Sequence, residues 1–162
     1  MKNGPKSYIL LACTAVLFFL SSCIQADKNT IVDQNISIYD LNWPYVNKIK
    51  VDFKIDDASA AYNLFFNLRV TPNYRYSNIF VLIHQTGPDK KTKTVRFEFK
   101  LANPDGEWLG KGSGNLYSYQ VLLRKDYHFP TKGVYRFQIE QNMRDNPLHE
   151  ISDVGLRIEK AQ

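Results

Sequence analysis

Between Ile49 and Ile55 every second residue is apolar: Ile49, Val51, Phe53 and Ile55 alternate with Lys50, Asp52 and Lys54, behind Lys48. Successive side chains of a strand point to opposite faces, so a period of two predicts a strand with one face buried. Tyr62, Leu64, Phe66, Leu68 and Val70 repeat the pattern, as do Val95, Phe97, Phe99 and Leu101, and Tyr135, Phe137 and Ile139. Ile79–Ile83 is continuously apolar, which predicts a central strand covered on both faces. Further strands are expected at Ile36–Asp40, Leu116–Arg124 and Val154–Glu159. Turn chemistry separates these runs, at Asp56-Asp57, Thr71-Pro72-Asn73, Gly87-Pro88-Asp89, Asn103-Pro104-Asp105-Gly106, Pro130-Thr131-Lys132-Gly133 and Asn146-Pro147. No long helical period competes. Short strands with such punctuation predict an all-β fold, a β-sandwich or jelly roll in a single domain, and argue against a βα repeat.

The N-terminus has a different grammar. Lys2 and Lys6 precede an apolar stretch from Ile9 to Leu20, and small Ser21 and Ser22 lead into Cys23. This is the layout of a signal peptide, and the stretch is shorter than the roughly 20 apolar residues a membrane-spanning helix needs. Leu20-Ser21-Ser22-Cys23 looks like the bacterial lipoprotein box, in which the cysteine thiol is acylated and becomes the new N-terminus. Residues 1–22 are therefore read as the signal, 23–35 as the lipidated end and a polar tether, and 36–162 as the folded domain. Several acyl chains on one residue suffice for stable attachment to a bilayer. Cys13, the other cysteine, leaves with the signal, so the exported domain has no disulfide and must be held by its core.

The formal net charge of +5 invites a nucleic-acid reading, but Lys2 and Lys6 go with the signal and the other cations are dispersed among acids. The dense basic run Lys90-Lys91-Thr92-Lys93 follows a turn sequence and is expected at a hairpin tip, either simply solvated or facing lipid A, an anionic lipid or an acidic partner. Nucleic acid is not an expected partner.

Catalytic and metal motifs are not matched. His84, His128 and His149 are far apart and lack metal-ligand spacing. Ser113 has Lys111 where a nucleophile elbow requires glycine, and Gly112 stands where a phosphate loop requires Ser or Thr. Gly110, Gly112 and Gly114 are better explained by a bulge or a close approach of strands. Asp105 and Glu107 flank a turn beside Trp108, but neighbours in a turn do not supply the separation a glycosidase pair needs. Trp108, Tyr74, Tyr76, Tyr117 and Tyr119 could stack on sugars, with core packing as the competing role. Arg144 and Arg157 could grip a carboxylate, either inside the fold, with Glu140 or Asp153 as acceptor, or on a partner. Gly133 and Gly155 are assigned to backbone geometry. No catalytic residue, metal site or cofactor is expected.

One resemblance is specific. Tyr135-x-Phe-x-Ile-Glu-Gln141, Met143-Arg144, Leu148 and Ile151-x-Asp-Val-Gly-Leu-Arg-Ile-Glu159 resemble the gliding-motility lipoprotein family GldH of the Bacteroidota. Trp43, Tyr62-x-Leu, Arg69, Tyr74-x-Tyr-x-Asn78, Asp105-Gly106-Glu107-Trp108-Leu109-Gly110, Gly112, Gly114 and Gly133-x-Tyr135 agree with it. The resemblance covers the chain from the lipobox to the C-terminus. It implies a β-rich envelope lipoprotein that is an accessory part of the gliding and associated secretion machinery, with protein partners and no catalytic residues. Surface-exposed lipoproteins of these bacteria often carry acids just after the cysteine, whereas here Ile24-Gln25-Ala26-Asp27-Lys28 follows. The expected location is thus the outer membrane, facing the periplasm, with the inner membrane as the lesser alternative. The expected binding surface comprises Trp108, Lys111, Gln141 and Arg144, where polar and aromatic residues leave the alternating pattern. A glycan- or peptidoglycan-binding module on the same anchor is the alternative.

Overall fold

The structure is a computed structural model that describes residues 29–161. The expected signal segment, Cys23 and the first part of the expected tether lie outside the described residues. The described residues form eleven strands: β1 (Thr30–Ser37), β2 (Asn42–Trp43), β3 (Ile49–Ile55), β4 (Tyr62–Val70), β5 (Asn78–Thr86), β6 (Thr92–Lys100), β7 (Lys111–Ser113), β8 (Leu116–Tyr127), β9 (Gly133–Gln141), β10 (Leu148–His149) and β11 (Ile151–Lys160). They build a five-stranded sheet in the order β1-β11-β4-β8-β7, a four-stranded sheet β3-β9-β5-β6, and a short β2-β10 pair. All pairings are antiparallel.

The pairing is nested. Of the eight long strands in chain order, the first pairs the last (β1 with β11), the second the seventh (β3 with β9), the third the sixth (β4 with β8) and the fourth the fifth (β5 with β6). Two further ladders, β11 with β4 and β9 with β5, close the wrapped hairpin into two sheets. This is a jelly roll. The expected all-β architecture is realised, and between its two named forms the register selects the rolled one.

Alternation explains the layers. β3 is buried at Ile49, Val51, Phe53 and Ile55 and exposed at the residues between them. Tyr62, Leu64, Phe66, Leu68 and Val70 of β4 face the same core from the other sheet, and Phe66 stacks on Phe99 across the gap at 4.9 Å. β5 is central, as its apolar run predicts, but no third layer covers it. Ile79, Val81 and Ile83 point inward while Phe80 and Leu82 are half-buried outside. The Arg96 guanidinium lies 3.9 Å from the Phe80 ring centre and shields it.

The N-terminal boundary differs from the expected one. β1 begins at Thr30, not near Ile36, because residues 30–37 complete the sheet against β11. The exposed polar residues Asp33, Gln34 and Asn35 make this edge strand read as tether. The expected strand end at Asp40 is replaced by a 3-10 turn, Tyr39–Leu41.

Following the strands fixes two ends of the sandwich. The end where β1 begins collects the loops 56–61, 87–91 and 128–132. The far end collects 38–48, 71–77, 101–115 and 142–150. Far-end loops are cross-linked: Asn146 Oδ1 accepts the Tyr45 N–H at 3.0 Å, and the Tyr76 hydroxyl donates to the Asp145 carboxylate.

Candidate binding surface

Trp108 sits in a far-end hairpin closed by an Ala102–Trp108 bridge and by the Asn103 N–H to Glu107 carbonyl bond at 2.8 Å. It is half-buried, tilted against Tyr117 at 5.4 Å and Tyr74 at 6.5 Å between ring centres. Tyr74 continues to Tyr76 at 5.7 Å, and Tyr76 reaches Asp145. These rings cement three loops together. Tyr74 and Tyr119 are buried, and their hydroxyls donate to the carbonyls of Asn78 at 3.1 Å and Leu101 at 2.9 Å. Burial pushes the Tyr74 phenol well above its ordinary range and the Tyr119 phenol up to about 12. Neither offers a face to a sugar. Gly110 makes the packing possible, since a Cβ there would lie 2.6 Å from the Tyr119 ring.

Asp105 and Glu107 shape the turn: Asp105 accepts the Glu107 N–H at 3.1 Å. Lys111, on β7, is exposed as expected. Gln141 is not a surface residue. It is 1% exposed at the end of β9, where its amide donates to the Asp145 carbonyl at 3.0 Å and accepts the Met143 N–H at 2.9 Å. Its polarity was the misleading signal, because a turn that folds back on a strand end needs an internal donor and acceptor. That bracing leaves Arg144 exposed at the turn, without an ion pair among the described residues.

Arg157 is internal to the fold, but with other acceptors than expected: Asp33 at 2.9 Å and Glu159 at 2.7 Å. Asp153 is buried and paired with Arg69. Glu140 lies between Lys48 at 2.8 Å and His84 at 2.9 Å. Burial would raise the Glu140 carboxyl, but the hydrogen bonds and charges of Lys48 and His84 prevail and hold it below its ordinary value. His128 and His149 are exposed and apart from His84.

One feature was missed from sequence. The outer face of the five-stranded sheet carries a groove of about 630 Å³, lined by Asp33, Asn35, Asn67, Arg69, Lys111 and Gln120 among others. Asn67 is buried there, donating to Asp33 at 3.1 Å and accepting from Gln120 at 3.2 Å. Gly155 lies between Asn35 and Asn67 in register, and a Cβ on it would meet the Gln34 carbonyl at 2.1 Å. The signals were Asn67 within an apolar strand and a glycine within β11. Among the described residues no group of His, Cys, Asp and Glu is placed to hold a metal ion.

The family model described as GldH lipoprotein matches residues 30–158, almost the whole jelly roll. The chain belongs to the GldH lipoprotein family. It is 33% identical over 162 residues to the gliding motility lipoprotein GldH homolog of Christiangramia forsetii, covering 96% of each chain. To the gliding motility lipoprotein GldH of Flavobacterium johnsoniae it is 32% identical over 158 residues, covering 93% of this chain and 94% of that one. Among solved structures, the VP2 subviral particle of infectious bursal disease virus aligns over 82% of this chain and 32% of that chain, at 13% identity and a TM-score of 0.35. Membership in a lipoprotein family supports a lipid-anchored location in the cell envelope.

Proposed function

We propose that this protein is a non-catalytic accessory component of the gliding motility and associated protein secretion apparatus, acting through protein–protein contacts. Acylated Cys23 holds it in the outer membrane, with the domain in the periplasm. The names of the two relatives support the motility role. The observation that carries the mode of action is the polarity of the fold. The chain enters at one end of the sandwich, while the long cross-linked loops, with exposed Lys111 and Arg144, occupy the other. Anchoring replaces a three-dimensional search by a high local concentration, so a modest surface can be occupied when its partner shares the membrane.

Chemical crosslinking in the native envelope, followed by mass spectrometry, tests this reading. Recovery of other motility or secretion components, lost with Cys23→Ala, is the expected result. Recovery of peptidoglycan fragments alone, independent of the lipid, would replace it by the second reading, a glycan-binding module. The polar groove favours that alternative, with its amides and cations presented on rigid strands. Its site would then be tested by Gln120→Ala and not by Trp108→Ala, because the indole is packed against Tyr117 and Tyr74.

A further inference from the structure

Seven large apolar side chains are exposed among the described residues, and four of them fall within eight positions: Tyr39 at 92%, Leu41, Tyr45 and Val46 at 70%. Scattered exposed hydrophobics are ordinary, whereas a cluster marks an interaction surface. Beside it lies a cleft of about 460 Å³ walled by Ile38, Pro44 and Pro147.

The segment is held out rigidly. Trp43 is fully buried beneath it and donates its indole N–H to the Asn47 carbonyl at 2.8 Å. β2 pairs with β10, and Asn146 fixes the Tyr45 amide. Asp40 and Leu41 both have positive φ, 52° and 56°, in the left-handed region where Leu is seldom found. The Asn42 side chain stabilises this turn by donating to the Asp40 carbonyl at 2.7 Å. Leu41 is 37% exposed, the least of the four, and Asn or Gly at that position would relieve the backbone while removing the apolar side chain. Strain of this kind is kept where a side chain must be presented.

We propose that Tyr39, Leu41, Tyr45 and Val46 form a docking surface for a partner protein with an apolar cleft, in which Tyr39 and Val46 are the anchoring side chains. The inference rests on the reading of a domain tethered through Cys23 and acting by protein contacts. The placement of charge, with exposed lysines at the end where β1 begins and the apolar run at the other, selects a protein over the anchoring bilayer. Thr30 follows Cys23 by seven positions, a reach of at most roughly 25 Å. β1 then carries the chain away from that end by a similar distance, about 3.3 Å for each of its eight residues, before the patch begins. The tether end instead presents exposed Lys90, Lys91 and Lys132, suited to an anionic headgroup layer. A saccharide is disfavoured because Leu41 and Val46 offer no hydrogen bond, whereas aromatic and aliphatic anchors on a preformed loop are what protein clefts accept.

The test uses the full-length lipidated protein in intact cells of its own host, with a photoreactive benzophenone amino acid in place of Tyr39, Val46, Leu122 or Val134, one at a time. Leu122 and Val134 are exposed apolar positions elsewhere on the sandwich. The expected result is one protein adduct common to positions 39 and 46 and absent from 122 and 134, reduced at least tenfold by Leu41→Asn while the melting temperature holds or rises. Insensitivity of that adduct to Leu41→Asn overturns the proposal. So do a lipid adduct or a crosslink between two copies of the chain at positions 39 and 46, which would make the bilayer or self-association the occupant. The same protein captured only from position 122 or 134 overturns this surface and spares the proposed function. No protein adduct from any position, together with no co-purifying component in the envelope crosslinking, overturns both.

Discussion

The two ends of the jelly roll solve the same problem differently. At the tether end, Phe129 is 2% exposed and touches Phe53, Tyr62, Tyr127 and Tyr135, with ring centres between 4.7 and 5.8 Å apart. Its short loops close over an aromatic plug and show polar tips to solvent. At the far end the order is reversed: Gln141 is buried to brace a turn, while Tyr39 and Val46 stand in water. A strand sandwich needs only one good seal per end. Where polar groups do internal bracing and apolar ones are displayed, packing alone has not determined the loop.

Breaking the plug should have the largest effect. Phe129→Ala removes the ring shared by four neighbours and should cost about 3–5 kcal/mol of stability. Denaturant unfolding monitored at Trp43 and Trp108 would measure it, and a loss below about 1 kcal/mol would mean the end is not sealed by this ring.

Gly155→Ala should be next, near the upper end of the roughly 1–3 kcal/mol typical of overpacking. Its Cβ would lie 2.1 Å from the Gln34 carbonyl oxygen, so β1 must part from β11. Hydrogen exchange should accelerate at Gln34 and Asn35 while the amides of β5 stay protected. Because β1 runs from one end of the sandwich to the other, this variant also asks whether the two ends are mechanically coupled.

A smaller effect is expected from pH. The Glu140 carboxyl is held below its ordinary value of 4.5 by Lys48 and His84, against the effect of burial. A depressed folded-state pKa contributes stability that is fully present above the unfolded value and lost as pH falls through the folded one. Wild type should therefore exceed Glu140→Gln in melting temperature at pH 6, with the gap closing below pH ~4. A gap that widens on acidification would reverse the assignment.

The smallest change in stability should come from Leu41→Asn. The left-handed region costs an L-residue about 1–2 kcal/mol, and Asn visits it more readily than Leu. The variant should match or exceed wild type by up to about 1 kcal/mol while losing its partner contact. A clear destabilisation would show that Leu41 belongs to the core after all and would erase the contrast between the ends.

Much of this was written locally. The strands β3, β4, β6 and β9 follow directly from residues that alternate, because each strand places every second side chain on the same core. β1 was legible only at its end, since an edge strand carrying polar Asp33, Gln34 and Asn35 on both its faces has no apolar face over those residues. The candidate site was less legible. Lys111 and Arg144 are exposed where expected, yet Gln141 is internal and Trp108 is half cement. Nothing in the run Tyr39–Val46 distinguishes an exposed tyrosine from a buried one. Trp43 in its midst suggests a core segment, which is true of Trp43 and false of its neighbours.

Sequence alone determined the all-β class, the individual strands, the lipobox pattern ending in Cys23 and the family resemblance, because each is carried by residues close together or in fixed order. Tertiary structure alone decided the nested pairing that makes the sandwich a jelly roll, the partners of Arg157, Asp153 and Glu140, and the separation of the start of β1 from the exposed apolar run. Those depend on which distant strands share an edge, and a residue's exposure is set by what the rest of the chain brings to lie over it.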